Sequence, residues 1–156
     1  MNRKHRNFNG KSDREREKHQ CLGIQQLARD FAESEVASVA KALETDKAIL
    51  KTLWGKLADI GLTGLQFPEN LGGAGLDDWA YLLALMEISK ASASLAVTLS
   101  VHTTVGILPI VLSGTDEQRQ RYLPTLISGE HIAALHSRNQ TQGLTPPAGN
   151  AKQRSR

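Results

Sequence analysis

The sequence is poor in the residues that build cross-linked or metal-centred proteins. It has one cysteine, Cys21, so neither a disulfide framework nor a zinc site of the usual cysteine spacing is expected. Its five histidines include no pair four residues apart, and we therefore predict no metal site. Aromatic residues make up only 4% of the chain, so we expect a core of Leu, Ile, Val and Ala.

The N-terminal region has no long apolar run. Residues 1–20 are charged throughout, so we expect no secretory signal peptide and a cytoplasmic location. Basic residues outnumber acidic ones there, and residues 136–156 contain no Asp or Glu. We predict that residues 1–20 and 136–156 are disordered basic ends. Binding of nucleic acid by these ends is an alternative, and in residues 1–20 the mixed charges and the single aromatic residue, Phe8, disfavour it.

Charged residues are also missing from residues 91–115, which contain no Asp, Glu, Lys or Arg. The length satisfies the rule of about 20 apolar residues for a membrane span. However, many Ser and Thr residues lie inside it and Pro109 interrupts it. We therefore predict no membrane span but a helix that is buried on several sides of a soluble protein.

Residues 21–135 show the spacing of amphipathic helices. In the first predicted helix, apolar residues recur at mostly three- and four-residue steps: Ile24, Leu27, Phe31, Val36, Val39 and Leu43. A second helix begins after Thr45 or Asp46 and stops at Gly61. Its predicted apolar face consists of Leu50, Leu53, Trp54, Leu57 and Ile60.

Further helices follow a glycine-rich segment. Asp77 or Asp78 is the predicted cap of the next helix, whose predicted buried face is Trp79, Leu82, Leu83 and Met86. Thr115 and Gln118 have the spacing of a capping box, and Pro124 either ends that helix or restarts a short turn. No run alternates as a strand does. The predicted fold is an all-α helical bundle of about five to six helices in residues 21–135.

The residues themselves reveal no catalytic constellation. Gly72–Gly75 fits neither phosphate-binding template, so we interpret it as a structural loop. Ser100 and His102 lie on different helix faces, and we expect His102 to be a hydrogen-bonded core histidine. Glu87 is expected to face solvent or to pair with Lys90 rather than to be a buried acid.

Several segments together resemble the N-terminal helical domain of the acyl-CoA dehydrogenases. The resemblance runs roughly from Ile24 to Leu135 in the family's order and spacing, with a minor departure at Ser38, which stands where many members have proline. It rests on Leu27–Ala32, Leu57–Leu62, Pro68–Asp77, Ser100–His102, Gly114–Gln118 and Tyr122–Pro124.

The resemblance implies a function. It implies FAD-dependent α,β-dehydrogenation of acyl-CoA thioesters, an electron-transferring flavoprotein as reoxidant, and a homo-oligomer when intact. By the same resemblance, Thr98, Val101 and Val105 stand where the family's central helix approaches the acyl chain; ordinary core packing is the alternative for all three. The catalytic base and the flavin motif belong to later domains of the family, so no catalytic, flavin-binding or metal residue is assigned here.

The resemblance ceases after Leu135. Read one base earlier, the degenerate codons of residues 136–145 permit Ala-Leu-Thr-Glu-Pro-(Asn or Asp)-Ala-Gly-Ser-Asp, which contains a motif similar to the family's flavin segment. We therefore hypothesise that residues 136–156 are a frameshifted tail and that this truncated chain alone is inactive. The alternative function is a non-enzymatic helical module for protein interaction or dimerisation.

Overall fold

The computed structural model describes residues 12–134, and those residues form helices without a strand. Short helical turns of other types lie between the α-helices: π-helical turns at Ala32–Val36 and His102–Ile107, and a 3₁₀ turn at Glu69–Leu71. The α-helices are α1 Ser12–Phe31, α2 Ala40–Leu43, α3 Lys47–Asp59, α4 Asp78–Ala91, α5 Ala93–Val101, α6 Leu108–Ser113 and α7 Asp116–Ile127. The second π turn joins α5 to α6 in one continuous helix, Ala93–Ser113. Because the described residues form helices and no strand, the predicted all-α class is confirmed.

Helix α1 begins earlier than predicted. Residues 12–20, expected to belong to a disordered end, are its first turns, while the predictions for residues 1–11 and 135–156 lie outside the described residues. Once the later turns of a helix are fixed by packing, each further turn adds hydrogen bonds without a new nucleation cost. The buried Ala28 and Phe31 supply that packing, so the charged residues before Cys21 extend a helix already in place.

The main core lies where α1 crosses α4. Small residues, Ala28 on α1 and Ala80 and Ala84 on α4, are buried and let the two helices approach closely. The predicted buried face of α4 is therefore wrong: Trp79 is 69% exposed and Met86 57% exposed. Leu82 is exposed and Leu83 half-buried, while the face that packs inward is Ala80, Tyr81, Ala84, Glu87 and Ile88.

Local capping signals were predicted correctly. Asp46 accepts a hydrogen bond from the Ala48 N–H at 2.8 Å, and Asp77 accepts one from the Ala80 N–H at 3.0 Å. Helix α3 ends just before Gly61, as expected. The capping box at the start of α7 is complete, because Thr115 and Gln118 bond each other's backbone N–H groups.

The effect of Pro124 on its helix and the burial of the uncharged helix both differ from the predictions. Helix α7 continues through Pro124 to Ile127 instead of ending there. The helix Ala93–Ser113 is long and apolar enough to cross a membrane by length and composition alone, a test that a core helix of a soluble protein also passes. Only its inner side, which includes Leu95, Leu99 and Ile107, is buried. The prediction that this helix is buried on several sides is therefore wrong.

The burial of Glu87 differs most from what the sequence predicted. Its side chain is 2% exposed, so it does not face solvent, although its predicted pairing with Lys90 is confirmed at 2.6 Å. Arg29 bonds the same carboxylate at 3.1 Å, and the Gln25 amide donates to it at 2.7 Å. Hydrogen bonds from Arg29, Lys90 and Gln25 lower the pKa of Glu87 to about 2. An ionised carboxylate therefore joins α1 to α4.

Candidate functional site

The uncharged helix α5 is the centre of the candidate site. Ser92 caps its N-terminus by accepting a hydrogen bond from the Leu95 N–H at 3.2 Å. Leu95 and Leu99, one turn apart, are buried and fix the inner face of the helix. The outer face of α5 carries small and β-branched side chains.

The three residues that the resemblance assigned to the acyl chain lie together on that outer face. Thr98, Val101 and Val105 are three and four residues apart, which places them on one side of the helix. Thr98 and Val101 are half-buried and Val105 is exposed, and the Thr98 hydroxyl donates to the Ser94 carbonyl at 2.9 Å. We call these three residues the acyl strip; its surface is apolar apart from one internally bonded hydroxyl.

A π-helical turn lies at the C-terminal end of the acyl strip. The Leu108 N–H bonds the Thr103 carbonyl, five residues earlier. In the same stretch, the hydroxyls of Thr103 and Thr104 donate to the carbonyls of Leu99 and Ser100. Single π turns inside α-helices are frequent at functional sites. His102 and Thr103, at the start of this turn, are both buried.

A second apolar feature, which the sequence analysis missed, lies beside the acyl strip. Helices α4 and α5 enclose an open groove of about 440 Å³. We call it the α4–α5 groove; its lining is Trp79, Leu82, Leu83, Leu85, Met86, Ser89, Ala93, Ala96, Val97 and Ser100. Val97 is 60% exposed. The signal was present in the sequence, because α4 carries large apolar residues on more than one face.

Behind the acyl strip, His102 is buried as predicted and both of its ring nitrogens are bonded. The Ala133 N–H donates to Nδ1 at 2.9 Å, so the proton is on Nε2, which donates to the Leu126 carbonyl at 3.0 Å. The Trp54 ring meets the imidazole edge to face, with 4.7 Å between centroids. Burial lowers the pKa of His102, which agrees with a neutral imidazole in this role.

Trp54 and Thr63 hold the same part of the chain. The indole N–H of Trp54 donates to the Gly129 carbonyl at 2.7 Å, and the Thr63 hydroxyl donates to the Ile127 carbonyl at 3.0 Å. We call His102, Trp54 and Thr63 the exit clamp, because they bind the backbone where it leaves α7.

The glycine-rich loop does not fit the diphosphate of a flavin dinucleotide. Gly72 and Gly75 have φ of +91° and +65°, as a structural loop requires. The amide N–H groups of residues 72–76 all donate to backbone carbonyls of Gly64–Glu69. A phosphate cradle needs free N–H groups. Among the described residues, this loop therefore offers no phosphate site, and no chemical step is assigned to it.

Comparison with known proteins identifies the fold. The family model for the acyl-CoA dehydrogenase N-terminal domain matches residues 18–130. An acyl-CoA dehydrogenase of Bacillus subtilis is 43% identical over 112 residues, which cover 72% of this chain and 30% of that protein. This chain thus spans less than a third of the length of that relative.

Solved structures agree. The acyl-CoA dehydrogenase of Bacillus anthracis complexed with FAD superposes with a TM-score of 0.69 and 34% identity, over 74% of this chain and 20% of that one. A structure of the electron transferring flavoprotein of Acidaminococcus fermentans contains a chain that matches with a TM-score of 0.65 and 34% identity, over 81% of this chain and 32% of that one.

Proposed function

The chain belongs to the acyl-CoA dehydrogenase family as its N-terminal helical domain, and from that premise we propose what it contributes. The whole protein would carry out FAD-dependent α,β-dehydrogenation of an acyl-CoA thioester, with an electron-transferring flavoprotein as its oxidant. The observation that supports this proposal is the acyl strip, Thr98, Val101 and Val105, which presents one uncharged, apolar helix face.

This domain would contribute an apolar surface that fits the acyl chain and excludes water from it. An aliphatic acyl chain gains roughly 0.8 kcal/mol for each CH₂ that it buries. The acyl strip provides such a surface, and residues 91–115 bring no charge near it. The described residues therefore suit the binding of the chain rather than the thioester chemistry, which we assign to later domains of the family.

We further propose that residues 136–156 are out of frame and that this chain alone is inactive. The test is the nucleotide sequence from the codon of Gly129 onward. If the other frame opens into the flavin motif and a long reading frame, the proposal stands. A reading frame that ends soon after the tail in both registers contradicts it.

A biochemical test compares this chain with the frame-restored protein. We expect the purified chain to lack visible flavin absorbance and to leave acyl-CoA unoxidised, whereas the frame-restored protein binds FAD and oxidises a saturated acyl-CoA. A yellow, active 156-residue chain would contradict the proposal of inactivity. A restored protein that binds flavin but oxidises neither straight-chain substrates from butyryl-CoA to palmitoyl-CoA nor branched ones such as isovaleryl-CoA would contradict the dehydrogenase assignment.

A pair of variants on α5 and α4 tests the acyl strip. Val101→Phe enlarges a side chain of the strip, while Leu82→Phe places the same ring on α4, in the lining of the α4–α5 groove. In the frame-restored protein, we expect Val101→Phe to lower kcat/KM for longer acyl-CoAs relative to butyryl-CoA, because the added ring occupies the space of the chain. Leu82→Phe should leave that ratio unchanged; equal effects of both variants would argue against the strip.

The second candidate function is a non-enzymatic interaction module, and the α4–α5 groove is the observation that favours it. Its lining is nearly all apolar, and Trp79 and Val97 at its edges are exposed. Exposed apolar patches of this kind promote association. If this chain forms a defined, stable oligomer that Val97→Asp dissolves while the frame-restored protein neither binds flavin nor oxidises acyl-CoA, the module is the better description.

A further inference from the structure

The exit clamp is reinforced by close backbone approaches. A Cβ added at Gly106 would lie 2.3 Å from the Cβ of Ala133, so only glycine allows the π turn to touch the leaving segment. Gly129 has φ of +78°, and a Cβ there would lie 2.6 Å from the Cβ of Ala58. The segment that follows α7 has no regular structure. Its course is nevertheless fixed by close contact with the π turn at Gly106 and with α3 at Ala58.

We propose that His102 is a positioning residue: by accepting from Ala133 and donating to Leu126, it sets the direction in which the polypeptide leaves the helical domain. That the next segment is the flavin-binding one rests on the proposed function. The positioning itself is a property of the described residues. In the intact protein, His102 would therefore act on the flavin site only through the chain that it aims.

Histidine suits this task because of its two different nitrogens. A neutral imidazole presents one donor and one acceptor at opposite edges of a rigid ring. Here the acceptor holds Ala133 and the donor holds Leu126, which are seven residues apart in the chain. Asn reproduces the position of Nδ1 and Gln that of Nε2. His102→Asn thus keeps the bond to Ala133, His102→Gln keeps the bond to Leu126, and His102→Phe keeps neither.

The first experiment measures amide hydrogen exchange in the full 156-residue chain. The reference is the Leu62 N–H, which bonds the Leu57 carbonyl in the core. Relative to it, we expect the Ala133 amide to exchange roughly three- to tenfold faster in His102→Gln and His102→Phe, as loss of one hydrogen bond predicts. His102→Asn should keep wild-type protection. An Ala133 amide that is unprotected in the wild type, or equally protected in all variants, overturns the proposal.

The second experiment measures position rather than protection. Nitroxides at Ala134→Cys and Ala37→Cys, in a Cys21→Ser background, report the distance from the leaving segment to the end of the first π turn. We expect one narrow distance distribution in the wild type and in His102→Asn, and a broad one in His102→Phe. An equally narrow distribution in His102→Phe, with Leu62 still protected, overturns the proposal because the domain is folded and the exit unchanged.

Global unfolding is separated from loss of positioning by the reference amide. If His102→Phe also exposes Leu62, the comparison between His102→Asn and His102→Gln decides, because each retains one bond to the backbone. No flavin or acyl-CoA is needed in either experiment. The positioning role can therefore fail while the dehydrogenase assignment stands, and the reverse also holds.

Discussion

Replacing Glu87 by Gln is the most direct perturbation of the core. The change keeps the size of the side chain and removes its charge, leaving Arg29 and Lys90 without their shared anion. Lowering a pKa from 4.5 to about 2 corresponds to about 3 kcal/mol of preference for the charged form. Because Arg29 is 41% exposed and Lys90 62% exposed, water weakens the pair. We expect a loss of about 2 kcal/mol in the free energy of unfolding at neutral pH.

The pH dependence of this loss is a sharper test than its size. The pKa of Glu87 is lowered in the folded chain, so the unfolded chain binds its proton first as the pH falls. The stability that Glu87 contributes is therefore complete well above 4.5, the ordinary pKa of a glutamate, and is lost as the pH falls toward 2. The difference between wild type and Glu87→Gln should shrink across that window.

Urea unfolding followed by far-UV circular dichroism at a series of pH values measures both quantities. Glu130→Gln is the matched control, since Glu130 is exposed and the same neutral amide is introduced. We expect less than about 0.5 kcal/mol from that control. If Glu87→Gln is as stable as the wild type at neutral pH, or if the difference between them does not depend on pH, the ion cluster does not join α1 to α4 as inferred.

Three further perturbations have expected results. Asp77→Ala removes the N-cap of α4 and should cost about 1 kcal/mol in urea unfolding, whereas Asp78→Ala, one residue later, should cost clearly less. Burial lowers the pKa of His102, so the unfolded chain takes up that proton first and stability should fall as the pH drops below about 6.5. His102→Gln should remove that part of the slope, and an unchanged slope would show that other groups cause it. Trp54→Phe deletes the donor to Gly129 and leaves a buried carbonyl unbonded. A loss of about 1–3 kcal/mol is expected, and a change below about 0.5 kcal/mol would mean that water replaces the indole.

Helix ends were predictable from sequence because their chemistry is local. Asp46 and Asp77 each bond an N–H within three residues, and the Thr115–Gln118 box is complete within four residues. Such short-range bonds form whenever the helix forms, whatever the helix packs against. The start of α1 was missed, because a charged segment becomes helical here only by continuing a helix that Ala28 and Phe31 fix elsewhere.

Burial on α4 was not predictable from periodicity. The helix has large apolar residues around most of its circumference, so hydrophobic spacing cannot select one face. The small Ala80 and Ala84 decide the outcome, since they let α1 approach. Glu87 is buried because Arg29, far away in sequence, lies opposite it. For the candidate site, the resemblance supplied the acyl strip, but the α4–α5 groove emerges only when both helices are placed.

The exit clamp also bears on where this domain can be cut. The last helix ends at Ile127, and a boundary drawn there would remove the partners of Trp54 and of His102 Nδ1. A fragment for expression, or a graft of this domain onto another protein, should therefore keep the chain through Ala133. Two fragments that differ only in the irregular residues 128–133 would then differ in stability, although their helices are identical. For this domain, the unit that folds extends beyond its last helix.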